Sequence, residues 1–144
     1  MMIKRLFLDL VQWERMRAHV QSCMPMEGCG LLAGTGDSVC EVFPIDNREQ
    51  SMSRFRMDAA EQLRAFRAME EGGMELLAIF HSHPADARAG EGPADEPSAT
   101  DVHEAAYPAV QVIWSRHAGQ WRARGFWIEN ARVTDVPLHI IAGQ

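Results

Sequence analysis

The stretch Leu76-Leu77-Ala78-Ile79-Phe80-His81-Ser82-His83-Pro84 decides how the rest of the chain is arranged. Its apolar run leads directly into the first histidine, so His81 is predicted at the exit of a buried strand. The period of two in a strand turns His81 and His83 to one face and Ser82 to the other. Pro84 cannot donate to a sheet ladder and marks the strand's end, where active-site side chains tend to lie. Two imidazoles side by side are half a metal site. By itself, HxH equally describes a pair of partly buried core histidines.

Upstream of this strand, Asp58 opens a helical segment, AAEQLRAFRAMEE, whose Leu63, Phe66 and Met69 form an apolar stripe before Gly72-Gly73 stops it. Asp46 to Arg56 is polar and without periodicity, and is predicted as a surface loop. Glu27 to Gly34 reads as a strand of small and apolar residues, with Val39 to Ile45 as its hairpin partner across Gly34-Thr35-Gly36-Asp37. Further back, Ile3 to Asp9 is a short strand. Asp9 caps a helix bearing Leu10, Trp13, Met16, Val20 and Cys23, which Pro25 ends.

Downstream, Ala85 to Pro97 is rich in Ala, Asp, Glu, Gly and Pro and is predicted as a mobile loop. Ser98 to Tyr107 is a short helix by its SATD start. Val110 to Trp114, Trp121 to Ile128 and Val133 to Ile141 are strands, with Asn130 at a turn between the last two. The interleaving predicts an α/β fold, a mixed β-sheet flanked by helices on both faces. At 144 residues, 47% of them hydrophobic, residues 1–144 are expected to form a single domain.

A formal net charge of -6 with dispersed arginines argues against a nucleic-acid backbone as the main partner. Cys23, Cys29 and Cys40 are an odd number with no CxxC pair, which suggests reduced thiols rather than a disulfide framework or a four-cysteine zinc site. No run approaches the ~18 apolar residues of a membrane span, and MMIKRLFLDL lacks a cleavable apolar leader. A cytoplasmic location away from membranes is the expectation.

A catalytic zinc site needs three protein ligands and an open position, and two histidines with an aspartate are an acceptable set. Asp101 is the best third ligand on geometry. With Ser98 at the cap, it lies one turn later on the same helical face. On pattern alone a plain capping arrangement is the favoured explanation of Ser98 and Asp101. A hydrolytic site also needs a base, for which Glu27, at the entrance of an otherwise small and apolar strand, is the candidate. A surface glutamate before a strand is the competing description.

MEGCGLLAG at 26–34, RFRMDAAEQ at 54–62, HSHP at 81–84 and PSATD at 97–101, in this order, resemble the JAMM (MPN-plus) metalloprotease family. The similarity runs over nearly the whole chain, since AYPAVQVIWS and FWIENARVTDVPLHII fit the family's closing strands. The resemblance implies a three-layer, cytidine-deaminase-like architecture, Zn2+ bound by His81, His83 and Asp101 with water as fourth ligand, and Glu27 as general acid and base. Ser98 matches the residue that steadies a tetrahedral oxyanion. The implied reaction is amide hydrolysis after the Gly-Gly end of a ubiquitin-like protein. The compact chain looks most like the small prokaryotic members linked to ubiquitin-like sulfur carriers. Homodimerisation stays open, and a nonenzymatic scaffold of the same fold or a RadC-like DNA-repair relative are the alternatives. A zinc deaminase would need HxE with PCxxC, and neither motif is present.

One departure concerns Ala85 to Pro97, which is longer than the family pattern expects, so the match of Ser98 and Asp101 rests on PSATD and not on spacing. Asp86, Asp95, Glu96 and His103 compete with Asp101. Asp86 is too close to the strand to swing back, and His103 falls on another helical face. The inserted loop is expected to border the cleft and to act as a flap or to shape substrate choice.

Overall fold

Asp9 determines where the first strand, β1 (Leu6–Asp9), becomes the first helix, α1 (Leu10–Cys23). The Asp9 carboxylate accepts the Gln12 N–H at 2.8 Å while the Gln12 side chain accepts the Asp9 N–H at 2.9 Å. The Gln12 amide donates in turn to the Val39 carbonyl at 3.0 Å, tying the helix start to the sheet. The computed structural model describes residues 2–84, 87–88, 92–105 and 107–142, with backbone alone at 87–88 and 92–93. After α1 come the hairpin β2 (Cys29–Thr35) and β3 (Ser38–Ile45), α2 (Ala59–Glu71) and β4 (Glu75–His83). The short pair β5 (Ala87–Arg88) and β6 (Gly92–Pro93) follows, then α3 (Ala99–Glu104). The chain closes with β7 (Val110–His117), β8 (Gln120–Glu129), β9 (Arg132–Val136) and β10 (Leu138–Ile141).

Among the described residues, eight strands form one mixed sheet in the order β10-β1-β3-β2-β4-β7-β8-β9. This is the α/β class with a helix-flanked mixed sheet. The strand that ends in His83 sits at its centre, antiparallel to β2 and parallel to β7. β9 and β10 lie at opposite ends of that order although only Pro137 separates them. Two residue steps span about 7 Å, so the two edges meet and the sheet curls on itself. The stretch read as one strand, Val133 to Ile141, therefore divides. Pro137 has no N–H for either ladder, while its carbonyl accepts the Leu6 N–H at 3.0 Å.

α1 fills the concavity. Its Met16 and Val20 are buried among Leu6, Leu8, Leu32, Phe80, Val112, Trp114 and Trp127. The ring of Trp13 lies 4.7 Å from that of Trp114. Gly30 is required here because a Cβ would collide with the ring of Phe80, its cross-strand partner. α2 covers the opposite face, where Ala65 and Met69 pack on Cys29, Leu31, Ala33, Ile45 and Ile79. This corrects the expected stripe, since Leu63 is 52% exposed. Residues 65 and 69 are four apart and share a helical face, whereas residue 63 lies about 200° round the helix from 65. The small Ala65 brings the helix close to the sheet.

Candidate metal centre

The alternation of β4 places Ala78 and Phe80 against α1, and Ile79, His81 and His83 on the α2 face. The strand stays buried to its last residue, His83. The ladder pairs Cys29 with His81, and beyond it the Ser82 N–H donates to the Gly28 carbonyl at 3.0 Å. The Gly28 N–H donates to Ser82 Oγ at 2.8 Å. Ser82 thus extends the pairing past the end of β2 with its own side chain. Continued by one step, this register sets Glu27 opposite His83, and directly opposed residues share a face. Glu27 is 1% exposed, so it is a core residue and not a surface glutamate. Its N–H donates to the Ser51 carbonyl at 2.7 Å, and its carbonyl accepts Asn47 Nδ2 at 3.0 Å.

α3 supplies the third member. Ser98 Oγ accepts the Asp101 N–H at 3.0 Å, and the Ser98 N–H donates to Asp101 Oδ2 at 2.9 Å. The capping description and the ligand description of these residues therefore hold together, because the cap aims the carboxylate. Asp101 Oδ2 lies 3.2 Å from His81 Nε2 and 3.0 Å from His83 Nε2, and the two Nε2 atoms are 3.1 Å apart. Burial opposes the Asp101 charge, but the two histidines outweigh it and hold the carboxyl well below the usual carboxylate range. Ser98 is buried beside them, and a hydroxyl that accepts one bond still has its own proton to donate.

The donor set fits a small divalent cation of the zinc type. A tetrahedron with arms of about 2.0–2.1 Å has edges of about 3.3 Å, close to the three separations here. The tautomer fits as well. His83 Nδ1 lies 2.7 Å from the Ala94 carbonyl. It must donate there, which leaves a lone pair on Nε2 facing the cluster.

Among the described residues, the competitors of Asp101 are engaged elsewhere. Asp95 and Glu96 face Arg124 at 3.2 Å and 3.8 Å, and His103 is exposed. Asp86 lies outside the described residues, as do 85 and 89–91 of the predicted loop. Cys29 shares the α2 face with His81, as its spacing from Glu27 implies. Burial pushes its thiol pKa up, and Sγ donates to the Ile45 carbonyl at 3.5 Å.

Three contributors escape sequence reasoning. Phe55 lies in the segment predicted as a polar surface loop, yet its ring stacks on His81 at 4.7 Å and 23°. Asn47 organises that loop, accepting the Glu49 and Arg56 N–H groups on Oδ1 while its amide holds the Glu27 and Arg54 carbonyls. The signals were a lone aromatic in a polar stretch and an Asx-type turn residue. Ala94 acts through its carbonyl and leaves no sequence signal.

The family model of prokaryotic homologs of the JAB domain matches residues 11–128. The chain is 33% identical over 137 residues to the CysO-cysteine peptidase of Mycobacterium tuberculosis, covering 92% of this chain and 88% of that one. It is 39% identical over 102 residues to the probable TtuB-protein conjugate cleaving protease of Thermus thermophilus, covering 70% of this chain and 64% of that one. In fold it is similar to AF2198, a JAB1/MPN domain protein from Archaeoglobus fulgidus. That match has a TM-score of 0.57 at 17% identity and covers 96% of this chain and 98% of that one.

Proposed function

The chain belongs to the family of prokaryotic JAB-domain homologs, and from that premise we propose that it is a zinc-dependent peptidase formed by a single JAMM domain. Its bond is an amide after the C-terminal Gly-Gly of a ubiquitin-like sulfur-carrier protein. The observation that carries this reading is the convergence of His81 Nε2, His83 Nε2 and Asp101 Oδ2 within 3.2 Å of one another at a buried strand end. The peptidase and conjugate-cleaving names of two relatives support the substrate class.

His81, His83 and Asp101 would hold the cation, with the cap from Ser98 and the Ala94 carbonyl orienting two of the three donors. When bound, zinc supplies Lewis acidity toward a carbonyl and makes water a stronger acid. Glu27 accepts the proton from the attacking water and later delivers it to the departing amine, a role suited to a carboxylate kept from bulk solvent. Ser98 donates its hydroxyl proton toward the oxyanion as the carbonyl becomes tetrahedral. Glycines in the substrate let an extended tail approach the buried donors closely, since they carry no Cβ.

The test is incubation with ubiquitin-like carriers bearing C-terminal extensions after Gly-Gly, with and without a chelator, beside Glu27→Ala. Cleavage after Gly-Gly that a chelator abolishes and zinc restores is the expected result. No chelator-sensitive cleavage of any carrier removes the peptidase reading, and equal activity in Glu27→Ala removes the assignment of the base.

A further inference from the structure

Arg124 sits in one cross-strand row with the metal centre, because His81 pairs with Ile113 on β7 and Ile113 pairs with Arg124 on β8. Directly opposed residues share a face, so its side chain emerges on the same side as His81, about two strand spacings or ~10 Å away. Ile113 is buried between them, which keeps the guanidinium from the donors themselves. The guanidinium instead turns to the segment that supports His83. Nη1 lies 3.2 Å from Asp95 Oδ2 and 3.8 Å from Glu96 Oε2. Nη2 donates to Asp135 Oδ1 at 3.0 Å, and the group rests 4.9 Å over the ring of Phe126.

One exposed ion pair would hold a loop weakly. Here a planar fork meets carboxylates on two sides and a ring beneath, which sets one orientation. Ala94 immediately precedes Asp95, is buried, and presents its carbonyl to His83 Nδ1 at 2.7 Å. We propose that Arg124 is a positioning residue of the metal centre. By gripping Asp95 and Glu96 it holds the Ala94 carbonyl on His83, and thereby fixes the imidazole as the Nδ1–H tautomer, whose Nε2 lone pair faces the metal cluster. Ala94, Asp95 and Glu96, at the end of the inserted segment, then support a ligand, beyond any part in substrate choice. The proposal rests on His83 as a ligand and extends that reading to a residue two strands away.

The experiment uses the full chain and two readouts besides activity. In the zinc-free protein, nitrogen-15 spectra of the histidine side chains are expected to show His83 as the Nδ1–H form, shifting toward Nε2–H in Arg124→Met. In competition titrations with a chromophoric chelator, Arg124→Met and Asp95→Asn are expected to weaken zinc binding by up to about fivefold, the reach of a half-exposed ion pair. Asp135→Asn loosens the side of the fork that leads away from the loop and is expected to weaken zinc binding less than Asp95→Asn. Arg124→Lys, which keeps charge without the fork, falls between. An unchanged His83 tautomer in Arg124→Met, or equal losses in Asp135→Asn and Asp95→Asn, overturns the proposal. If Arg124→Met does not fold, Asp95→Asn decides it by the same readouts. A wild-type protein that binds no zinc removes the ligand reading, while the tautomer measurement still decides the role of Arg124.

Discussion

Toward α1, the central strands present Leu32, Ala78, Phe80, Val112 and Trp114, and the packing is apolar up to Ser82, whose hydroxyl oxygen accepts the Gly28 N–H. Toward α2, the same strands carry Leu31, Ile79 and Ile113 beside the buried Gln111, and at the end nearest the site Glu27, His81, His83 and Ser115, these last four no more than 4% exposed. Burial therefore does not distinguish the two faces; chemistry does. Each large buried apolar side chain on the α1 face contributes roughly 1.5–3 kcal/mol, whereas buried polar groups cost free energy unless they are partnered. The curled sheet around α1 carries the stability that lets the other face keep its polar end.

Substitutions that separate the two faces test this contrast. Trp114→Ala, on the α1 face, is expected to cost about 3–5 kcal/mol in urea unfolding while the molecules that remain folded still bind zinc. A loss of zinc stoichiometry in the folded fraction would show the faces to be coupled. Glu27→Gln, on the α2 face, is expected to reverse the pattern: kcat falls by about 10²- to 10⁴-fold, with zinc retained and the unfolding midpoint moved much less than by Trp114→Ala. Phe55→Ala removes the ring stacked on His81 and is expected to cost about 0.5–1.5 kcal/mol, read as a modest rise in the zinc dissociation constant. An unchanged constant would make Phe55 a packing residue only. The smallest effect belongs to Leu63→Ser, which should stay within about 0.5 kcal/mol because the side chain points away from the sheet. A loss of more than 1–2 kcal/mol would restore the stripe read from spacing and place Leu63 under an unseen cover.

The limits of sequence reading follow from the same contrast. The α1 helix start, the β2–β3 hairpin, the strand through His81 and His83, and the cap at Ser98 were all legible, because each depends on residues within a few positions of one another. Spacing draws the α2 stripe through Leu63 because Leu63 outweighs Ala65 in hydrophobicity, while the sheet takes the smaller side chain for close approach. The loop at 46–56 was correctly read as irregular, but its polar composition hid that Phe55 turns inward.

The sequence by itself determined the period-two placement of the two histidines, the stop at Pro84 and the cap that pairs Ser98 with Asp101, since local backbone sterics and short-range hydrogen bonds dictate each. Only the tertiary structure decided which acid stands beside the histidines, that Glu27 is buried in register with them, and that the sheet closes at Pro137. It alone placed the Ala94 carbonyl against His83 Nδ1 and Arg124 against Asp95. These depend on contacts between residues far apart in the chain, and such contacts leave no periodicity to read.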